Sequence, residues 1–263
     1  MRGSLSFACS LVCLAAVCSE AIGGAWTRAP GDGLLIMSSG RRVAPVGAFA
    51  AGSPQDDANT TQILVEYGLL DGLTLGATVF AELSTVDVDE SSLNAGIFVR
   101  RRFWQGEHGI FSGQIGYAHP LEGLFGTGFG TNSSSAPEVE FRLLYGHSLW
   151  GDWGNAFASF ETGYDYFGDD ERDEFRADMT VGYEPYHCCL ALMSIFASVP
   201  RGLDGATFKI APSFAYTLWP EVKRNHKKPP GEIRPRTIQF GINYDLLNAD
   251  DGIGVQVSVW QKF

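Results

Sequence analysis

The chain has 263 residues, 32 of them glycine, with 19% charged and 13% aromatic residues. That length fits one large all-β domain, and a glycine-rich, charge-poor balance suits strands and tight turns more than helices. A formal charge of -11 argues against a nucleic-acid partner, because binding phosphates needs a basic footprint.

The first residues, MRGSLSFACSLVCLAAVCSEA, carry Arg2, an apolar run from Leu5 to Val17, and small residues Ser19 and Ala21 placed for cleavage. This predicts a secretory signal peptide over residues 1–21, cut after Ala21, and a mature domain over residues 22–263. Lipidation at Cys18 is disfavoured by the bulk of Val17. The run is too short to cross a membrane as a helix, and no later stretch reaches the roughly 18 uncharged apolar residues such a helix needs. Cys9, Cys13 and Cys18 leave with the signal, so Cys188 and Cys189 remain. Neighbours in a strand point to opposite faces, which would strain a mutual disulfide, so two buried free thiols are expected.

In chain order, Gly33 to Ser39 is a plausible first strand, followed by a polar loop from Arg41 to Asn59. The stretch TTQILVEYGLLDGLTLGATVFAEL, Thr60 to Leu83, then sets the pattern for everything after it. Ile63, Val65, Tyr67 and Leu69 alternate with Gln62, Leu64, Glu66 and Gly68. After Leu70-Asp71-Gly72 the alternation resumes, with Leu73, Leu75, Ala77, Val79, Ala81 and Leu83 on one face. A period of two on both sides of Asp-Gly predicts a hairpin. Each arm matches the roughly 9 to 11 tilted residues with which a strand crosses a bilayer.

The same reading continues through Leu93–Phe103, Gly109–Ala118, Val139–Leu149, Ala156–Tyr166, Phe175–Tyr183, Cys188–Val199, Thr207–Leu218, Thr237–Leu246 and Ile253–Phe263. About twelve strands result, an even number as in single-chain outer-membrane barrels. Connections near Asp71, Gln105, Asp152 and Pro185 are short, and those over 41–59, 84–91 and 120–136 are longer. Short periplasmic turns opposite longer outer loops are the outer-membrane pattern. The basic, proline-rich connection EVKRNHKKPPGEIRP, Glu221 to Pro235, departs from it by falling on the short-turn rim. Trp26, Trp104, Trp150, Trp153, Trp219 and Trp260 all fall near that rim, where amphipathic rings favour the membrane–water interface. The fold class expected is therefore all-β: a single transmembrane antiparallel up-and-down β-barrel behind a cleaved signal peptide.

The last residues, IGVQVSVWQKF, alternate Ile253, Val255, Val257 and Val259 and end on Phe263. This resembles the terminal strand of bacterial outer-membrane proteins, in which a final aromatic residue is the assembly signal. The resemblance implies an outer-membrane location, contact with lipid and lipopolysaccharide, and recognition of Phe263 by the barrel-assembly machinery. More narrowly, GAWTRAPGDGLLI and YGLLDGLTLGA resemble the outer-membrane channel proteins grouped with a phenol-degradation pathway.

With the apolar face toward lipid, the other face places in the lumen Glu66, Glu82, Arg100, Arg102, Glu138, Glu140, Arg142 and Glu161. It also places there Asp165, Glu174, Arg176, Asp178, Lys209, Asp245 and Lys262. Arg or Lys at the bilayer midplane on the lipid side would cost roughly 2–4 kcal/mol each, which supports this register. Such groups either pair and fill a narrow barrel or line an aqueous path whose acidic excess favours cations or neutral polar solutes. Arg100 and Arg102 facing Glu138, Glu140 and Arg142 form the candidate constriction, with Glu161, Arg176 and Asp178 beside them. Outer-loop carboxylates (Asp56, Asp57, Asp87, Asp89, Glu90, Asp169, Asp170, Glu171, Asp250, Asp251) are read as a solvated rim rather than a divalent-cation site.

A passive, porin-like channel for small solutes is the first functional expectation, and a closed structural or adhesive barrel is the second. A lipid-modifying enzyme is the third, and it needs a nucleophile activated by histidine. Of His108, His119, His147, His187 and His226, only His147 adjoins a serine, Ser148, and strand neighbours cannot hydrogen-bond as nucleophile and base. The chain is thus expected to be no enzyme. No cofactor or metal is expected either, since no zinc spacing, phosphate loop or dinucleotide fingerprint is present.

Overall fold

The computed structural model describes residues 24–43, 58–84, 92–121, 137–151, 154–168, 173–186, 188–201, 206–218, 236–247 and 253–263. Its strands are β1 (Gly33–Val43), β2 (Ala58–Leu70), β3 (Leu73–Ser84), β4 (Ser92–Gln105), β5 (Gly109–Pro120) and β6 (Glu138–Gly151). They continue as β7 (Gly154–Tyr166), β8 (Glu174–Tyr186), β9 (Cys189–Pro200), β10 (Thr207–Thr217), β11 (Arg236–Asp245) and β12 (Ile253–Lys262). Each strand pairs antiparallel with its sequence neighbours, and β12 returns to β1, closing the barrel. The seam runs from Leu34 opposite Lys262 to Val43 opposite Ile253. Beyond it, Gly33 and Phe263 exchange both backbone hydrogen bonds, at 2.9 and 3.0 Å. The signal-peptide segment, Trp153, Trp219, His187, His226, the acidic outer-loop residues and 221–235 lie outside the described residues. β10 ends at Thr217 and β11 begins at Arg236, and these two ends pair at the short-turn rim.

Alternation sorts the side chains as the hairpin pattern requires. Asp71 and Gly72 alone separate β2 from β3, and Gly72 holds φ at +67°, a conformation in which glycine carries no Cβ penalty. Ile97, Phe103, Ile115, Phe141, Phe160, Phe214 and Phe240 stand on the outer face, with Ile97 66% exposed. On a soluble protein this belt would be costly, whereas in a bilayer it meets hydrocarbon. Among the described residues, no helix is long and apolar enough to cross a membrane.

Two details correct the sequence reading. Cys188 lies in the turn before β9 rather than in a strand, so the alternation rule does not apply. Its Sγ comes within 3.3 Å of the Cys189 Sγ, and both free thiols are half-buried instead of fully enclosed. Of the four described tryptophans, Trp104 and Trp150 are exposed at the short-turn rim. Trp26 and Trp260 instead lie inside the barrel.

At the opposite rim, Asp173 ties the β7–β8 connection. Its carboxylate accepts hydrogen bonds from the Phe167 N–H at 3.0 Å and the Tyr164 hydroxyl at 2.7 Å. The Phe167 bond first, and then Tyr164, hold its pKa below the ordinary carboxylate value. A depressed folded-state pKa gives a stabilisation that is complete above the unfolded value and lost as pH falls through the folded one. Hydrogen exchange at the Phe167 amide should therefore speed up on acidification below that range in the native chain. In Asp173→Asn it should already be fast at neutral pH. A separate check on the lipid face is Ile97→Arg, expected to cost about 2–4 kcal/mol in denaturant-controlled refolding into bilayers.

Candidate functional site: the barrel lumen

Before β1 begins, residues 24–32 do not lie along the rim but enter the lumen at its short-turn end. Gly68 anchors the entry: Gly31 N–H donates to the Gly68 carbonyl at 2.8 Å, and Gly68 N–H donates to the Asp32 carbonyl at 2.9 Å. A Cβ at Gly68 would lie 2.0 Å from the Ala29 carbonyl oxygen, so only glycine lets the segment approach the wall this closely. Deeper inside, Arg28 N–H donates to Thr74 Oγ1 at 2.7 Å, and the Ser112 hydroxyl donates to the Ala25 carbonyl at 2.5 Å. Ala25 is buried with Ile110 and Leu144, and Trp26 meets Phe157 edge-on at 5.8 Å.

An ionic belt starts from the same segment and crosses the wall. Arg28 Nε and Nη2 both reach Glu66 Oε2 at 2.7 Å, and Arg100 Nη1 reaches Glu66 Oε1 at 3.0 Å. Glu66 is fully buried, so two guanidiniums share one enclosed carboxylate. The belt continues as Arg100 Nη2 donates to Gln114 Oε1 at 2.9 Å and Gln114 Nε2 donates to Glu140 Oε2 at 3.1 Å. Arg142 closes tightly on Glu140 and reaches Glu161 at 3.3 Å and Asp178 at 3.8 Å. Toward the outer rim, Arg176 Nε pairs with Asp165 at 2.6 Å and Glu174 at 3.2 Å. Oxygens of Glu138, Glu140 and Asp165 lie within 4.8 Å of one another.

The expected constriction is thus rearranged. Arg100, Glu140 and Arg142 are brought together through Gln114, and Glu161 and Asp178 join them at Arg142. Glu138 belongs with the Asp165 group nearer the outside, where Arg176 also sits. Arg102 is not in the lumen belt at all. It keeps its register opposite Ser112 but lies near the short-turn end of β4, ahead of the bulge, and there it pairs with Asp71 at 2.5 Å and Gln105 at 2.6 Å. Sequence alone does not mark Arg28, Glu66, Thr74 and Gln114 as constriction residues. Parity places Glu66 in the lumen, but Arg28 precedes the first strand and has no alternation to reveal its direction.

The other side of the barrel is differently lined. In the inner half, Leu34, Leu192, Ala215 and Trp260 form an apolar cluster against which Ile36, Phe157 and Leu190 pack. Phe157 thereby joins this cluster to Trp26, and an apolar layer spans the lumen. In the outer half, β9 to β12 with β1 to β3 enclose a cavity of about 410 Å³, to which Glu82 and Lys209 contribute. Asp245 instead ties the outer rim, accepting from the Leu247 N–H at 3.0 Å. His147 stands on the outer face beside Tyr145, at 3.3 Å from its hydroxyl, while Ser148 is buried on the inner face.

No family model and no curated relative matches the chain. Solved structures do. An outer membrane channel from Pseudomonas putida F1 superposes with a TM-score of 0.59 at 10% identity, over 92% of this chain and 99% of that one. The KdgM porin gives 0.55 at 8% identity, over 88% and 99%. KdgM porin in complex with disordered oligogalacturonate gives 0.51 at 6%, over 88% and 98%. At such identities the likeness speaks to the fold. What they share with this chain, over 88–92% of it, is the antiparallel β-barrel, and the exposed apolar belt on this chain's own wall is that of an outer-membrane barrel.

Proposed function

We propose that the chain is a passive, porin-like channel for small solutes, narrowed on its periplasmic side by its own residues 24–32. The observation that carries this reading is the sidedness of the wall: apolar outside, and inside a belt of ionised groups leading to a cavity. Ions buried in a barrel that only had to be filled would be costly to keep, since well-packed apolar residues serve as well or better. Carboxylates outnumber guanidiniums along β6 to β8, where Glu138, Glu140, Glu161, Asp165, Glu174 and Asp178 face Arg142 and Arg176. This excess favours cations or neutral polar solutes over anions. The chemistry assigned to the wall is passage rather than catalysis, because His147 and Ser148 face opposite sides of β6. Phe263, paired to Gly33 at the closing seam, is the end offered to the barrel-assembly machinery, and the apolar belt is the surface offered to outer-membrane lipid.

A second reading, a closed structural barrel, is favoured by one observation: the layer joining Trp26 and Phe157 to Trp260. Planar-bilayer recording separates the two. Steady unitary openings with cation preference in a salt gradient are expected of the channel, and silence from protein whose gel mobility shifts on boiling would establish the closed barrel.

The buried Arg28–Glu66–Arg100 knot supplies a second test. Glu66→Ala strands two guanidiniums together, and breaking a buried pair costs about 3–5 kcal/mol. Residues 24–32 should then leave the wall, so trypsin, which finds Arg28 enclosed in the native protein, should cut after it in the variant. Unitary conductance should rise severalfold. Unchanged conductance despite cleavage at Arg28 would remove the segment from any role in narrowing the path.

A further inference from the structure

The outer cavity is lined unlike the belt. Along its wall, the carboxamides of Gln62, Gln239, Asn243 and Gln256 are joined by the hydroxyls of Ser38 and Ser213. Two rings, Phe80 and Phe196, also face it. Its charged groups, Arg41, Glu82 and Lys209, are of mixed sign and lie near the outer ends of β1, β3 and β10. Below them the wall is polar and neutral.

From this lining we infer that the cavity binds a neutral, hydroxyl-rich solute of one or two sugar rings. This deepens the channel reading and rests on it for the solute's route inward. A carboxamide both donates and accepts, as does a hydroxyl, so a wall of such groups matches a polyol whichever way each O–H points. Part of the wall is already set in place. Gln239 Nε2 donates to Ser213 Oγ at 2.8 Å, which fixes the amide plane. Ser38 and Ser258 share a hydrogen bond of 2.8 Å, and Gln256 reaches Ser258 at 3.4 Å. Gln62 is exposed to the cavity. The phenyl rings offer flat apolar surface to the C–H face of a sugar ring. An ion entering the same space would lose hydration without an opposing charge on the deeper wall, a cost the polyol does not bear. The volume also fits: about 410 Å³ lies within the roughly 300–1,000 Å³ of small-molecule sites.

Saturation-transfer NMR on the full chain in detergent, with a neutral disaccharide and with its uronic-acid counterpart, tests the cavity independently of transport. Transfer is expected to the neutral sugar and to be much weaker for the acid. In Gln62→Leu/Gln239→Leu/Gln256→Leu, affinity for the neutral sugar should fall roughly tenfold or more. Gln62→Ala alone, at an exposed lumen position, serves if the triple variant does not fold, and should show a smaller fall. Equal transfer to both sugars, no transfer to either, or affinity unchanged in a folded variant would each overturn the assignment. Bilayer recordings on the same preparations keep the two readings apart. Binding without ionic current would retain the cavity site and sink the channel, and current without sugar binding would do the reverse.

Discussion

Hydrocarbon offers no partner to a peptide N–H or C=O, and the structure depends on the one arrangement of strands that leaves none exposed. Eleven hairpin or loop connections would still leave two raw edges. The pairing of Gly33–Val43 with Ile253–Lys262 removes both. Once the cylinder is closed, the pleat does the sorting, because a residue that faces lipid places its neighbours in the lumen. The exposed belt from Ile97 to Phe240 and the enclosed belt from Glu66 to Asp178 are two consequences of one geometry.

Inside, the problem is reversed, since charged groups must be matched in a space with limited water. The chain meets it with a relay in which nearly every ion touches one of opposite sign. Glu66 lies between Arg28 and Arg100, and Arg142 between Glu140, Glu161 and Asp178. Phe98 supports the relay by lying under the Arg100 guanidinium at 5.3 Å, with Gly76 leaving room for its ring. The relay, the apolar layer from Trp26 to Trp260 and the amide-lined outer cavity divide the lumen into regions of different chemistry. A solute crossing it would meet hydrogen-bonding groups first and the narrow, ion-paired level afterwards.

The two stretches that carry the narrower family resemblance prove to touch. GAWTRAPGDGLLI contains the segment that enters the barrel, and YGLLDGLTLGA contains Gly68 and Thr74, on which that segment rests. Their separation by some thirty loop and strand residues hides the contact in the sequence. The same limit explains the misplaced tryptophans. Sequence position puts Trp26 and Trp260 near the rim correctly but says nothing of inward or outward, and for Trp26 no alternating neighbours exist to decide it. Arg102 fails for a different reason. Its parity is right, but its height is not legible: at the short-turn end of β4 it lies beside the β2–β3 turn, and Asp71 is within reach.

By itself, the sequence determined the strand count, the turn at Asp71-Gly72, the short-turn rim and the face to which each in-strand side chain belongs. All of these follow from a period of two and from local backbone chemistry. Only the tertiary structure decided which lumen groups meet. Partners such as Arg28 and Glu66, or Gln114 and Glu140, are brought together by strand stagger and by a segment folded back through the barrel. Distances across a closed cylinder depend on shear and on what fills the middle, and neither leaves a mark on any single strand.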